Sequence, residues 1–296
     1  MADQRSFDDR DGWIWFDGKL VPWREANIHV LTHALHYASS VFEGQRAYNG
    51  KIFKLTEHSR RLHKSANILG MELPWSVEEL DAACNEVLKA NGLTDAYMRP
   101  VAWRGSEQMG VTAAKSPPHV AIAAWEWGKY FDPALAAKGL RLDIARYRRP
   151  APFTAPTDSK ASGLYMICTM SRQHAEARGF DDAMMFDWRG QVAEATGANA
   201  FFVKDGQLHT PTPDCFLNGI TRQTVMDLAQ RRGVEVIERA IWPDELESFE
   251  QMFITGSAAE VTFVQSAGPW RFEVGDLSRQ LAKDYDDLVH GRLPNR

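Results

Sequence analysis

The sequence predicts a mixed α/β (α+β) protein of two domains. Its 296 residues exceed the roughly 100–200 that a single domain usually contains, so two hydrophobic cores are expected. Short strand patterns alternate with amphipathic helix patterns along the chain, as in α/β architectures. The segment 126–136, which contains Gly128 and Pro133, is the best candidate for an interdomain loop. We therefore predict a small N-terminal α/β domain at 1–125 and a larger C-terminal domain at 137–296.

Turn residues and caps mark the elements of the first domain. Trp13–Phe16 and Leu20–Val21 flank the turn pair Asp17-Gly18, which predicts a β-hairpin. The elements that follow are a helix capped by Thr56, a helix that begins with the capping box Ser76 to Glu79 and ends at Asn91-Gly92, and a buried strand at Val120–Trp125.

The second domain is predicted to alternate between strands and helices. Its elements are a strand at Arg141–Tyr147, a helix at Gly163–Arg178, a strand at Ala183–Asp187, a hairpin around Asp205-Gly206, a helix from Gln223 that stops at Gly233, and a strand at Val234–Glu238.

Composition excludes several classes of protein. The net charge of −5 and pI near 6.0 argue against a nucleic-acid-binding surface. The three cysteines form no C-x-x-C pair, so neither a disulfide framework nor a zinc site is indicated. The apolar runs fall short of the roughly 20 residues of a membrane span, and Met1–Asp11 lacks the apolar core of a signal peptide. We expect a cytoplasmic protein that binds neither nucleic acid nor membrane.

Lys160 lies in an unusual setting for a lysine. Small residues surround it, at Ser159 and at Ala161 to Gly163, and the run that follows, 164–170, is mostly apolar. This pattern indicates an amine that points into a cavity, where burial lowers its pKa and favours the neutral form. A neutral amine can form an imine with an aldehyde cofactor and can later move a proton. The alternative is an ordinary loop lysine that precedes a helix.

Two further segments complement this lysine. Glu194 ends an apolar strand, and a carboxylate beside a pyridine nitrogen keeps that nitrogen protonated, as the ring of pyridoxal phosphate requires. The segment Leu217-Asn218-Gly219-Ile220-Thr221-Arg222 leads into a helix whose N-terminal N–H groups can hold a phosphate. Each signal alone is weak, because Glu194 can simply cap a turn and most helix termini bind nothing.

Other chemistries fit less well. The pairs His33/His36 and His58/His63 lack the i, i+4 spacing of a helical zinc motif, so we predict no metal site. Gly105 and Gly110 have the spacing of a phosphate loop, but the lysine that should follow is missing. The sequence contains neither a dinucleotide-binding glycine motif nor a hydrolase nucleophile elbow.

From about Trp13 to Gln265 the chain resembles the fold-type IV pyridoxal-phosphate enzymes and, within them, the branched-chain amino-acid aminotransferases. The matching stretches, in chain order, are His33-Ala34-Leu35-His36-Tyr37, Val41-Phe42-Glu43-Gly44, Glu57-His58-Ser59-Arg60-Arg61-Leu62-His63, Ala96-Tyr97-Met98-Arg99-Pro100, Met109-Gly110-Val111, Gly219-Ile220-Thr221-Arg222 and Thr255-Gly256-Ser257-Ala258-Ala259-Glu260. So many matches in order are hard to obtain by chance. The resemblance implies two α/β domains with the cofactor at their interface.

The resemblance also implies a role for each cofactor-binding residue. Lys160 would form the Schiff base, Glu194 would pair with the ring nitrogen, and Tyr165 would hydrogen-bond the phenolic oxygen. Arg61 would hold the phosphate, although a solvated helix arginine is the alternative reading. The other residues of the implied pyridoxal-phosphate site are Gly197, Asn199, Leu217, Gly219, Ile220, Thr221, Gly256 and Ser257.

A transaminase must accept two side chains in one pocket, so it needs apolar walls and a group that binds a distal carboxylate. The resemblance assigns the second task to Arg99, oriented by Tyr97; residues two apart on a strand share a face. The other residues of the implied substrate site are Tyr37, Phe42, Gly44, Trp127, Tyr130, Ser257, Ala258 and Val111, the last from a second subunit. For each wall aromatic, plain core packing is the alternative.

The implied reaction moves the amino group of L-leucine, L-isoleucine or L-valine to 2-oxoglutarate. Its products are branched 2-oxo acids and L-glutamate, and its kinetics are expected to be ping-pong. The implied assembly is a homodimer, with stacking into hexamers as a further option. Gln45, Asn218 and Phe263 depart from the common family pattern, and Ser257 stands where threonine is frequent.

Two alternatives remain open. One is a same-fold transaminase of D-amino acids or (R)-amines, or an aminodeoxychorismate lyase. The other is a non-catalytic ligand-binding protein on the same scaffold, against which the intact Lys160 argues.

Overall fold

The computed structural model describes residues 5–128 and 130–293, which form two compact units. The first unit contains the described residues up to Gly128 together with Ser159–Gly163, and the second contains the other described residues. Each unit combines β-sheet with helices, which confirms the predicted α/β class. The segment that carries Lys160 thus packs with the first unit, although the chain on either side of it belongs to the second.

The first unit is built on a seven-stranded antiparallel sheet. Its strands are β1 (Trp13–Phe16), β2 (Lys19–Pro22), β3 (Ser40–Phe42), β4 (Gln45–Tyr48), β5 (Lys51–Ile52), β6 (Ala96–Arg104) and β7 (Pro118–Trp125). The spatial order is β2-β1-β7-β6-β4-β5, and β3 also pairs with β6. Strand β6 therefore has three partners, and this central position fixes the side chains that it carries.

The helices of the first unit are α1 (His33–Tyr37), α2 (Leu55–Ile68) and α3 (Val77–Ala90), and Trp23–Glu25 forms a 3-10 turn. Helices α2 and α3 bury their apolar stripes in one core, where Leu62, Leu80 and Val87 are at most 1% exposed. Burial of each such side chain contributes about 1.5–3 kcal/mol to folding. This core fixes the position of α2, which carries residues of the candidate site.

The second unit is built on a nine-stranded mixed sheet. Its strands are β8 (Leu140–Ile144), β9 (Asp182–Phe186), β10 (Val192–Ala195), β11 (Asn199–Lys204), β12 (Gln207–Pro211), β13 (Val236–Arg239), β14 (Gln251–Gly256), β15 (Glu260–Ala267) and β16 (Trp270–Arg271). The order is β10-β9-β8-β15-β14-β11-β12-β13, with β16 beside β15. Because β10 also pairs with β11 through Glu194 and Asn199, six strands form a closed circuit.

The helices of the second unit are α4 (Pro133–Lys138), α5 (Tyr165–Ala177), α6 (Ile220–Arg231) and α7 (Asp276–Val289), with 3-10 turns at Ser162–Leu164 and Pro243–Ser248. Its core is rich in aromatic residues: Phe201 and Phe253 are fully buried and stack with ring centroids 5.0 Å apart. Among the described residues, none of the helices combines the length and the apolar character needed to cross a membrane.

The three cysteines are distributed over both units. Cys84 lies on α3, Cys168 on α5, and Cys215 in the segment before α6. All three are buried and none forms a disulfide.

Several element predictions are confirmed. The hairpin is β1 and β2, with Trp13 opposite Pro22. In the capping box at the start of α3, the Ser76 hydroxyl accepts from the Glu79 amide at 3.2 Å, and the Glu79 carboxylate accepts from the Ser76 amide at 2.7 Å. The Asp205-Gly206 turn joins β11 and β12.

Two predicted helix starts are wrong. Helix α2 is not capped by Thr56. It begins at Leu55, directly after Lys54 in a left-handed conformation. The Thr56 hydroxyl instead donates to Asp81 on α3 at 2.6 Å. Helix α6 begins at Ile220, three residues before the predicted start, directly after Gly219 in an extended conformation. Helix α4 begins inside the segment 126–136, and the predicted domain boundaries stay a prediction.

Candidate functional site

Lys160 is held by backbone contacts on both sides. Its amide donates to the Ser65 hydroxyl at 3.0 Å, and its carbonyl accepts from the Phe42 amide at 3.2 Å. The ammonium lies 4.8 Å from the centroid of the Phe42 ring. Burial, and then the positive charge of Arg61, lowers the pKa of Lys160 from 10.5 to about 8. A large fraction of this amine is therefore neutral at mildly alkaline pH.

Arg61 faces a buried carboxylate just beyond the C-terminal end of β3. Glu43 accepts from Arg61 Nε at 2.7 Å and from Nη2 at 2.8 Å, a bidentate pair. Glu43 also contacts His58 Nδ1 at 2.7 Å. Burial opposes the charge of Glu43, but Arg61 and His58 outweigh it and hold the pKa of this carboxyl far below its usual range. The three side chains form one hydrogen-bonded network.

Tyr97 and Arg99 lie on β6, as predicted, and interact with each other. Arg99 Nη2 donates to the Tyr97 hydroxyl at 2.9 Å, and the guanidinium lies 4.6 Å from the centroid of the Phe42 ring. Arg99 Nε is buried and has no hydrogen-bond partner among the described residues. Because a buried donor is costly to leave unpaired, Arg99 is prepared for an anionic ligand.

Gly44 makes room for this pair. A Cβ at position 44 would lie 2.3 Å from the Tyr97 hydroxyl, so any larger residue would displace it. Trp127 packs against Tyr97 with centroids 4.5 Å apart and extends the same aromatic surface. Phe42, Gly44, Tyr97, Arg99 and Trp127 are therefore brought together, and their contact with substrate stays a prediction.

Three further predicted wall residues have the following surroundings. Tyr37 stacks on His33 and is 44% exposed, and Val111 is 87% exposed. Tyr130, in the second unit, accepts a hydrogen bond from Arg172. Their predicted contact with substrate stays a prediction.

In the second unit, the position of Glu194 is fixed by the pairing of Glu194 on β10 with Asn199 on β11, which closes the six-strand circuit. Its carboxylate accepts from Asn199 Nδ2 at 3.1 Å and lies 3.3 Å from Arg149 Nε. Burial opposes the charge of Arg149, but the Glu194 carboxylate more than compensates and raises the pKa of Arg149. The buried arginine in turn favours an ionised Glu194. Tyr165, also close to Arg149, is the first residue of α5.

Asn199 connects Glu194 with the turn before α6. Its amide nitrogen donates to the Leu217 carbonyl at 3.0 Å, and its oxygen accepts from the Gly219 amide at 3.2 Å. A Cβ at Gly219 would lie 2.2 Å from this oxygen, so the approach requires glycine. Asn199 thereby fixes the position of the Glu194 carboxylate relative to the turn before α6.

The N-terminus of α6 is formed by Ile220 and Thr221, and no side chain caps it. Its first N–H groups and the helix dipole can therefore face an anion. Arg222 anchors this turn: it is 1% exposed, and it donates to Asn218 at 2.9 Å and to Glu238 at 2.6 Å. Asn218, a departure from the common family pattern, thus takes part in the anchoring.

The last predicted residues lie at a second turn of the same sheet. Gly256 ends β14, and a Cβ there would lie 3.4 Å from the Gly197 carbonyl, so the two glycine turns are neighbours. Ser257 and Ala258 follow directly and are half-buried. Asn199 and Thr255 are register partners, which connects this turn to the Glu194 site.

Sequence reasoning missed three residues of the candidate site. Glu43 and His58 lie inside quoted motifs but received no role, and Arg149 was not singled out. A spacing signal exists for one of them, because His58 and Arg61 are i, i+3 on α2 and share a face. Glu43 and Arg149 reach their partners only through the tertiary fold.

One cluster within the described residues has the ligand types of a metal site: Asp187, Asp214 and Cys215 lie within 4.8 Å of one another. Arg189 already binds both carboxylates, at 2.6 Å and 2.8 Å. This arginine therefore already engages both carboxylates and offsets one of their two negative charges.

A family model described as amino-transferase class IV matches residues 40–267. Among curated relatives, the branched-chain-amino-acid aminotransferase of Pseudomonas aeruginosa is 41% identical over 97% of this chain and 96% of its own. The enzyme of the same name from Escherichia coli K12 is 39% identical over 86% of this chain and 84% of its own.

Solved structures give the same result. The T.th. branched-chain amino acid aminotransferase with pyridoxamine 5′-phosphate is similar at a TM-score of 0.93, with 39% identity and 96% of each chain covered. The E. coli branched-chain amino acid aminotransferase has a TM-score of 0.93, with 35% identity and 97% of each chain covered.

Proposed function

We propose that this chain, which belongs to the class IV amino-transferase family, exchanges amino groups between branched-chain L-amino acids and 2-oxoglutarate with pyridoxal phosphate as its cofactor. The products are branched 2-oxo acids and L-glutamate. The observation that carries the proposal is Lys160, whose pKa of about 8 makes its amine a nucleophile and a base near neutral pH. The family match also confirms the resemblance stated from the sequence.

The residues fit the cofactor chemically. The α6 N-terminus and Arg61 suit a phosphate, and Glu194 beside Arg149 suits a protonated pyridine nitrogen. We assign the phosphate to Arg61, Ile220, Thr221 and Ser257, and the ring to Glu194 and Tyr165. Gly197, Asn199, Leu217, Gly219 and Gly256 shape the turns that hold these groups.

Lys160 moves the proton in this reaction. When bound, pyridoxal phosphate withdraws electrons from the α-carbon of the amino acid and so acidifies its proton. With the cofactor bound, Lys160 Nζ would take that proton and, as its conjugate acid, would return it to complete the amino-group exchange. The lowered pKa supports this role, since a strongly basic lysine would stay protonated and could not accept it.

The substrate assignment depends on two kinds of surface. Phe42 and Trp127 offer apolar contacts for a leucine side chain. Arg99, held by Tyr97, offers a charge for the distal carboxylate of glutamate. Tyr37, Tyr130 and Gly44 extend the walls, and the backbone at Ser257 and Ala258 binds the α-carboxylate.

We also propose a homodimer as the minimal unit, with Val111 reaching the substrate site of a second copy. The 87% exposure of Val111 supports this, since an apolar residue that is so exposed is suited to an interface. The cytoplasmic location stays a prediction.

Absorbance spectroscopy of the purified, pyridoxal-phosphate-loaded protein tests the proposal. Addition of L-leucine without any oxo acid should abolish the visible band of the bound aldehyde cofactor, and addition of L-glutamate should do the same. In Arg99→Gln the leucine response should persist, whereas the glutamate response should need on the order of tenfold more substrate. Lys160→Ala should turn over neither amino acid.

Three outcomes would contradict the proposal. A band that resists L-leucine but responds to D-alanine or (R)-1-phenylethylamine would move the function to another enzyme of this fold. If the protein did not bind pyridoxal phosphate, the proposal that it is an enzyme of this kind would be wrong. Equal losses for leucine and glutamate in Arg99→Gln would remove Arg99 from its assigned role.

A further inference from the structure

We propose that Glu43 is a positioning residue for the cofactor phosphate, because it fixes the guanidinium of Arg61 in the orientation that phosphate binding needs. The inference rests on the proposed function, in which Arg61 binds that phosphate. Glu43 itself touches neither substrate nor cofactor in this assignment; it acts through Arg61.

The bidentate contact fixes the whole guanidinium plane. Glu43 contacts Nε and Nη2 of Arg61, at 2.7 Å and 2.8 Å, and two parallel hydrogen bonds prevent rotation of a planar group. Glu43 is fully buried, so water does not compete for these bonds. The position of Nη1 follows from the other two nitrogens, because the group is rigid.

Glu43 is in turn fixed on two sides. Its amide donates to the Pro100 carbonyl on β6 at 2.8 Å, which ties the backbone to the central strand. Its second oxygen contacts His58 Nδ1 at 2.7 Å, and His58 is one helical turn before Arg61 on α2. One carboxylate from the sheet therefore links two side chains of α2.

The charges explain why a carboxylate is suited to this place. Burial lowers the pKa of His58, so this histidine is neutral near pH 7 and donates from Nδ1 without adding charge. Glu43 and Arg61 then balance each other. Neutralisation alone would weaken the attraction of Arg61 for a phosphate, whereas fixed orientation strengthens binding, so the two effects of Glu43 have opposite signs.

Because the two effects oppose each other, the proposal can be tested by measuring the preference for the phosphorylated cofactor. This preference is the dissociation constant of pyridoxal, which lacks the phosphate, divided by that of pyridoxal phosphate. We expect Arg61→Met to lose most of the preference for the phosphorylated form. Glu43→Gln, which keeps the shape and removes the charge, should lower the preference roughly tenfold or more. Binding of pyridoxal itself should change little in either variant.

A double variant shows whether Glu43 acts through Arg61. If it does, Glu43→Gln should have no further effect on the ratio in the Arg61→Met background. The matched control is Glu57→Gln, because Glu57 lies on the same helix but is exposed and pairs with Lys54 at 3.0 Å. Its ratio should equal that of the unchanged protein.

The outcomes separate this inference from the proposed function. An unchanged or raised preference in Glu43→Gln, together with a loss in Arg61→Met, overturns the positioning role alone. An unchanged preference in Arg61→Met overturns the phosphate assignment. If circular dichroism shows that Glu43→Gln does not fold, Glu43→Asp replaces it: the charge remains but its reach is shorter, so the preference should still fall, and an unchanged ratio overturns the inference.

Discussion

The amine of Lys160 is kept in surroundings that disfavour its charge, and this has a cost for folding. Its pKa is about 8 in the folded chain and 10.5 as its ordinary value, so the unfolded chain binds the proton more tightly. The free energy of unfolding should therefore rise as the pH increases from about 8 to about 10.5. Below this range the penalty is fully present, and the difference between the two pKa values corresponds to roughly 3 kcal/mol.

Lys160→Met should remove that penalty. In the cofactor-free protein at pH 7, we expect the variant to unfold at a higher urea concentration than the unchanged chain. The difference should shrink towards zero as the pH rises through about 10.5, because the lysine then loses its proton in the unfolded chain as well. Equal stability of the two proteins at pH 7 would show that the amine is not held in a charge-disfavouring site.

Lys160 was predictable from sequence, whereas its surroundings were not. Small neighbours and an apolar run are local features, and they indicated a shielded amine. The residues that set its charge, Arg61 and Glu43, lie about a hundred residues earlier in the chain. Only the family resemblance connected Arg61 to this lysine, and nothing in the sequence connected Glu43.

At the scale of elements, the turn before α6 depends on one close approach. The Gly219 backbone has φ −60° and ψ 140°, which alanine adopts easily, so the constraint is contact and not backbone strain. An added Cβ would meet Asn199 Oδ1 at 2.2 Å. Since Asn199 also holds Glu194, a shift here would disturb both the turn and the carboxylate.

We expect Gly219→Ala to weaken binding of pyridoxal phosphate. Overpacking costs about 1–3 kcal/mol, which corresponds to a roughly ten- to hundredfold rise in the dissociation constant. Fluorescence titration of the cofactor-free protein measures it. The control is Gly128→Ala, where a Cβ meets nothing within 4 Å. Similar affinities in both variants would contradict the clash.

Elements differed in how well sequence predicted them. The capping box of α3 is a local exchange between Ser76 and Glu79, so its pattern is visible in four residues. Thr56 is also a residue type that caps helices, but Asp81 on another helix accepts a hydrogen bond from its hydroxyl. The pairing of Glu194 with Asn199 closes a six-strand circuit, and a circuit of this kind depends on contacts that no short window contains.

At the scale of the whole molecule, an apolar surface of the first unit supports the proposed dimer. It comprises residues 28–37 and 109–111, where Val30, Leu35 and Val111 are 69%, 61% and 87% exposed. His33 joins the two segments through the Gly110 carbonyl at 2.8 Å. Exposed apolar residues that are grouped in this way are typical of protein interfaces.

Sedimentation velocity should therefore give about twice the 33.4 kDa mass of one chain. Leu35→Asp and Val111→Asp should shift the protein towards the monomer, because each places a charge in the apolar surface. Ile68→Asp, at a 41% exposed position on α2, is the control. A monomer in the unchanged protein would refute the assembly proposal.

The buried cysteines determine how the molecule responds to oxidants. Burial raises the pKa of Cys84 and Cys215 to about 12 and that of Cys168 to about 11, so all three sulfurs stay protonated near neutral pH. Peroxides and alkylating reagents attack the thiolate, which is scarce here. We therefore expect the amine chemistry of this protein to be insulated from the thiol redox state of its surroundings, so that its activity is the same with and without a reducing agent.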